Sequence, residues 1–233
     1  MSATNKLTVF EKLKAGFFDS VVPVGVESLR LLPDSVVCGT AILTILSGCK
    51  SYGVLLFSMF ELMFLQRISS MIISGIAPVG ADLNSQQMTC QPGFQYTNSM
   101  RISLLEKIGT PSMFPSPTMF FLSGLLSYML MSMQQFGREI KSLSGDIQAR
   151  TQVAIVLSFL FMIAMLMFRT SYGCESFGTL LLSLLLGTIF GVAIVFQNIA
   201  LFGRDGINVL NLPMIQSALE KGKPMYVCAP SDI

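Results

Sequence analysis

The sequence predicts an all-α protein, a polytopic transmembrane helical chain of about four spans with a long polar loop and short amphipathic terminal helices. Three observations carry that prediction. Of the 233 residues, 52% are hydrophobic and only 12% are charged, about half the charged share of a globular domain. The mean hydropathy is +0.66. The apolar residues also stand in long blocks with the charges pushed between them, which is the distribution a hydrocarbon interior selects.

Residues 1–35 read as an N-terminal amphipathic or soluble segment. Leu7, Phe10, Leu13 and Phe17 recur at helical spacing, with Lys6, Glu11, Lys12 and Lys14 beside them. That pattern fits a helix lying in the membrane interface or docking on a partner protein. It fits a short helix folded back onto the chain equally well. The charges among the first twenty residues leave no apolar h-region, so a secretory signal peptide is not expected.

The first transmembrane region is expected over residues 36–65, an apolar stretch interrupted by Lys50 and Glu61. Splitting it at Ser47–Lys50 leaves two arms of roughly 14 residues, each reaching about 21 Å, short of the roughly 30 Å hydrocarbon core. One long tilted or kinked helix is therefore expected. A charge at mid-span costs roughly 2.5–3.5 kcal/mol on insertion scales. A region this long puts Lys50 and Glu61 towards its ends, so snorkelling at the interfaces is expected rather than a proton or ion relay.

A polar loop follows over residues 66–116, rich from residue 77 in Asn, Gln, Ser, Thr, Gly and Pro. A short helix at Arg101–Ile108 presents Leu104, Leu105 and Ile108. Loops of this length are usually functional or disordered, and this one is the natural place for contacts outside the bilayer.

Residues 117–202 form a three-helix transmembrane region, with spans expected at 117–136, 151–168 and 177–199. The first begins at Pro117, which suits a helix start. The second is uncharged between Arg150 and Arg169. The third carries small residues at four-residue spacing: Thr179, Ser183, Gly187 and Gly191. Positions i and i+4 share a face, so another helix approaches closely there. The partner helix belongs either to this chain or to another copy; packing within the chain is the simpler reading. Residues 203–233 are a soluble C-terminal tail with a short helix over Met214–Lys221, announced by Asn211 and Pro213 and closed by Gly222.

With four crossings, the positive-inside rule puts both termini on the cytoplasmic face, and Cys90 and Cys174 share the other. A disulfide between them is open if that face is oxidising; two unrelated thiols are the alternative.

The five cysteines show no C-x-x-C spacing and the chain has no histidine, so neither a metal site nor a His-based general base is expected. No G-x-S-x-G, P-loop, G-x-G-x-x-G or H-E-x-x-H pattern occurs. No enzyme, cofactor or small-molecule substrate is indicated, and a net charge of +2 gives no argument for nucleic acid. A transporter is expected to carry an internal repeat or paired broken helices, and none is evident in the sequence.

The run Arg169-Thr-Ser-Tyr-Gly-Cys-Glu-Ser-Phe-Gly178, the small-residue span, and Leu201-Phe-Gly-Arg-Asp-Gly-Ile-Asn208 with Leu210-Asn-Leu-Pro213 resemble membrane proteins of large icosahedral double-stranded DNA viruses of the chlorovirus type. The resemblance covers the C-terminal third. It implies a structural virion protein in the internal membrane beneath the capsid, tying the bilayer to minor capsid proteins and through them to the shell, with no catalytic residues. Its partners are then the lipid bilayer and other capsid or membrane proteins. A small transporter or channel subunit is the alternative, as is a membrane-remodelling assembly factor outside the particle.

Overall fold

The computed structural model describes residues 22–76, 90, 92–97, 100–108, 114–137 and 145–209. The expected N-terminal amphipathic helix with Leu7, Phe10, Leu13 and Phe17, and the tail helix over 214–221, lie outside these residues. Five long helices build a bundle: α1 (Val22–Ser47), α2 (Lys50–Ile76), α4 (Pro117–Gln135), α5 (Gly145–Ser171) and α6 (Phe177–Gly206). Between α2 and α4 come a small antiparallel hairpin, β1 (Phe94–Thr97) with β2 (Met100–Ile102), and the short α3 (Leu104–Ile108).

Four helices are long and apolar enough to cross a membrane: α1, α2, α5 and α6. The region expected as one crossing over 36–65 is two helices. The chain turns at Gly48, whose φ of +62° suits a residue without a Cβ, and its N–H closes the helix on the Thr44 carbonyl at 3.0 Å. The arms are not 14 residues long but 26 and 27. α1 reaches back to Val22 through Pro33, so residues 22–35 are helix rather than a separate segment. α2 runs on past Arg67 to Ile76, taking the first eleven residues expected as loop. Likewise α6 continues to Gly206 across a kink at Gly203, where the soluble tail was expected to begin. The short helix starts at Leu104, not Arg101, because Arg101 is paired with Gln95 in the hairpin.

α2 packs antiparallel to α1, and α4 and α6 run parallel to each other along the widest interface of the bundle. The core draws Leu55, Met59, Leu62 and Met63 from α2, Met119–Leu122, Leu125 and Tyr128 from α4, and Leu180, Ile194 and Val195 from α6. Phe120 and Phe190 pack with ring centroids 5.6 Å apart. Outside this core the surface is apolar: Ile45, Phe64, Phe159, Leu160, Ile189 and Leu201 are all exposed, the expected character of a face in contact with lipid. The five long helices alternate in direction, so residues 22 and 206 lie at opposite ends of the described bundle.

Candidate functional site: the capped end of the bundle

The described residues between α2 and α4 are held down by polar side chains from four of the long helices. Asp34 of α1 is buried, and its Oδ1 accepts the N–H groups of Leu104 and Leu105 at 3.1 Å each. This caps α3 from another helix, satisfying donors that a helix start leaves unpaired. Leu105, thus placed, is 1% exposed and enters the core. Gln66 of α2 donates from Nε2 to the Pro115 carbonyl at 2.9 Å. Ser183 of α6 accepts the Ser116 N–H at 2.8 Å just before α4 begins.

The fourth tie comes from the end of α5. Gly173 has φ +64°, and two backbone bonds close the helix, Cys174 N–H to Arg169 O and Gly173 N–H to Thr170 O. This is the six-to-one and five-to-two pattern of a Schellman end. It places Cys174 just beyond the helix, where it is bonded to Cys90. The buried Arg169 makes a two-pronged pair with Glu175, Nε to Oε2 at 2.9 Å and Nη2 to Oε1 at 2.7 Å, and its Nη1 donates to the Cys90 carbonyl at 3.3 Å. Planar two-point pairing fixes orientation as well as distance. Ser176 then starts α6, accepting the Thr179 N–H at its Oγ.

At the opposite end, cations satisfy helix C-termini. Lys50 Nζ donates to the Phe202 carbonyl at 3.2 Å. Arg204 donates to the Gln135 carbonyl and lies over the Phe136 ring, 5.2 Å from its centroid. Both neutralise the negative end of a helix. Cys49, in the turn at this end, is also disulfide-bonded, whereas Cys38 is free and exposed.

The small-residue stripe divides by task. Thr179 serves the start of α6, donating to the Ser176 carbonyl. Ser183 holds the entry to α4. Gly187 and Gly191 face α4 so closely that a Cβ on Gly187 lies 2.1 Å from Ser123 Oγ and one on Gly191 lies 2.1 Å from the Gly124 carbonyl oxygen. The partner helix is therefore in the same chain. Gly124 itself was not singled out in the sequence; its position after Ser123 in an apolar run is the only hint.

Lys50 and Glu61 part company. Lys50 sits at the first turn of α2, at the bundle's end, as expected. Glu61 does not sit near an end, because its helix begins at Lys50 rather than Val36. It lies about 16 Å along α2 from Lys50 and about 8 Å from Gln66, with Oε1 accepting the Gln197 amide at 2.7 Å. Beside it, Asn198 donates to Ser58 Oγ at 2.7 Å and to Tyr128 Oη at 3.2 Å. The polar pair Gln197-Asn198 at the close of an otherwise apolar span was the available signal.

A crevice of about 400 Å³ separates α5 from α4 and α6, lined mainly by apolar side chains such as Leu130, Met162, Leu166, Leu184 and Val192.

Helices of membrane length and an apolar exterior define the class: an all-α polytopic membrane protein. Comparison with protein families, with curated proteins and with solved structures finds no match for this chain.

Proposed function

We propose that this chain is a structural anchor of a membrane-containing particle, an icosahedral virus particle whose internal bilayer it ties to minor capsid proteins. The capped end is the observation that carries this reading. An anchor needs a surface held at fixed geometry to an intramembrane body, and here residues 90, 104, 105, 115 and 116 between α2 and α4 are fastened to α1, α2, α5 and α6 by Asp34, Gln66, Arg169 with the Cys90–Cys174 bridge, and Ser183. Disulfides at both ends of the bundle suit a product that leaves the reducing cytosol, as a released particle does. The viral assignment rests on the resemblance of residues 169–178 and 201–213. The chain then works by position rather than by chemistry, in the membrane beneath the shell.

Quantitative proteomics of purified particles tests it. The protein is expected in the particle at a fixed copy number, resisting high-salt and carbonate extraction. Recovery in the soluble fraction overturns the reading, and detection in infected cells but not in particles selects an assembly factor instead. The polar cluster around Glu61 favours a second reading, a small channel or transporter subunit. Ion or solute flux in liposomes that is lost in Glu61→Ala or Lys50→Ala selects it.

A further inference from the structure

Helix α5 stands off from the body of the bundle along much of its length. Its neighbours α4 and α6 meet through Gly124, Gly187 and Gly191, but α5 faces them with Met162, Ile163 and Leu166, whose bulk keeps helix axes apart. The crevice of about 400 Å³ lies between these three helices. Along α4 it runs from Ser123 to Gln134, about 16 Å at the helical rise. Its inner end, at Leu166 and Leu184, comes just before the turn where Arg169 and Cys174 fasten α5 to the cap. Its other end is at the exposed Gln134, next to the Gln135 carbonyl that Arg204 holds.

Chemistry and width both select the occupant. The hydroxyls of Ser123 and Ser158 turn back onto the Phe120 and Ala154 carbonyls of their own helices. Apart from Ser127, Thr188 and Gln134 the remaining lining is aliphatic or aromatic. Those groups are too few to hydrate a space of this size, and apolar spaces stay dry and take up apolar molecules. Averaged over the roughly 12–16 Å that the lining residues span, the volume gives a cross-section of roughly 25–35 Å². A helix 10–12 Å across needs roughly 80–110 Å², so a further transmembrane helix does not fit. A single hydrocarbon chain, about 4 Å wide by carbon contact distances, does. Phe159 and Ile163 line the crevice and are also exposed on the outer side of α5, so the space is continuous with the surface that meets lipid.

We propose that the crevice binds one acyl chain of a bilayer phospholipid, seated between α5 and the α4–α6 pair with its headgroup at the Gln134 end. That end of the bundle carries the exposed Lys50 and Arg204, cations of the sign a phosphate requires. Left empty, the space forfeits dispersion contacts on three helices; the acyl chain restores them where α5 has no glycine to allow direct contact. The site is independent of the anchoring role, since it concerns how α5 joins the body and not what meets the capped end.

The full-length protein, purified from membranes in mild detergent, is tested by native mass spectrometry. In parallel it is irradiated in liposomes containing a phosphatidylcholine with a diazirine midway along one acyl chain. The wild-type protein is expected to keep one phospholipid per chain. The photoprobe is expected to label Leu126 or Leu130 on α4, a helix with no large apolar side chain fully exposed to bulk lipid. Ser127→Phe, which puts a ring into the crevice, is expected to lose both the retained lipid and the α4 label, whereas Leu160→Phe on the outer side of α5 keeps both. Folded Ser127→Phe protein that still retains the lipid overturns the proposal. Wild-type protein that carries only detergent, or that emerges as a lipid-free dimer, also overturns it. So does photolabelling of the wild-type protein confined to outer residues such as Leu160, a result that needs no variant to fold.

Discussion

Helices α4 and α5 invert the rule that the most apolar element lies deepest. α5 has a mean hydropathy of 2.3 over its apolar window, yet only 6% of that window is buried. α4 falls outside the four most membrane-like helices, yet every residue from Pro117 to Leu125 is buried. In water the less apolar helix would be outside. In a bilayer, lipid tails are as apolar as leucine, so apolarity gives no reason to leave them. What draws helices together is close approach and internal polar pairing, and α4 has both. Gly124 lets Gly191 lie against its carbonyl, and Tyr128 joins Asn198 and Ser58. α5 offers neither over most of its length and is held chiefly at one end, through Arg169 and the turn that carries Cys174.

The sharpest way to break this contrast is at the α4–α6 contact. Gly191→Leu adds a side chain where even a Cβ lies 2.1 Å from the Gly124 oxygen and 2.9 Å from its Cα. These are backbone atoms, which cannot swing aside, so α6 must separate from α4. A loss of about 3 kcal/mol or more is expected, at the upper end of overpacking costs, seen as loss of folded protein in detergent. Retention of wild-type thermal stability would show that the two helices are not in contact through this face.

How much of this was legible follows from the same physics. The helices at 117–136, 151–168 and 177–199 and the small-residue face of α6 are readable, because apolar length and four-residue spacing are local signals; the first of them, expected as a span, is not among the four helices long and apolar enough to cross a membrane. A division at Gly48 fails on length only when each arm is taken to end at the obvious polar breaks. α1 and α2 in fact run through Pro33 and Arg67, extending each arm beyond the apolar block. That error displaced Glu61 from the interior to an end. Asp34 and Gln66 were illegible for another reason: each acts on a backbone group some 50 to 70 positions away, and no spacing in the sequence encodes such a contact.

The second test acts on α5's attachment. Cys174→Ser removes a bridge joining residues 84 positions apart, which ties the α5–α6 turn to the cap. A loss of about 2–4 kcal/mol is expected, with the effect concentrated at the capped end. Limited proteolysis on the same face should cut near Cys90 and the Gly173 turn before it cuts α4. Uniform protection in the serine variant would mean that Arg169 and Glu175 suffice to hold that turn.

The smallest effect tests whether α5 faces lipid. Leu160 on α5 is 56% exposed, while Leu62 on α2 is 0% exposed and lies against the face of Gly124. Leu62→Ala opens a cavity in the core and is expected to cost about 2–5 kcal/mol. Leu160→Ala leaves lipid to fill the space and is expected to cost less than about 0.5 kcal/mol, the scale of substitutions away from packed features. The pair is compared in the same detergent by thermal unfolding, so that differences in the surrounding medium cancel. A cost at Leu160 approaching that at Leu62 would mean that protein, not lipid, covers α5. The contrast between the two helices would then belong to the isolated chain and vanish in its assembly.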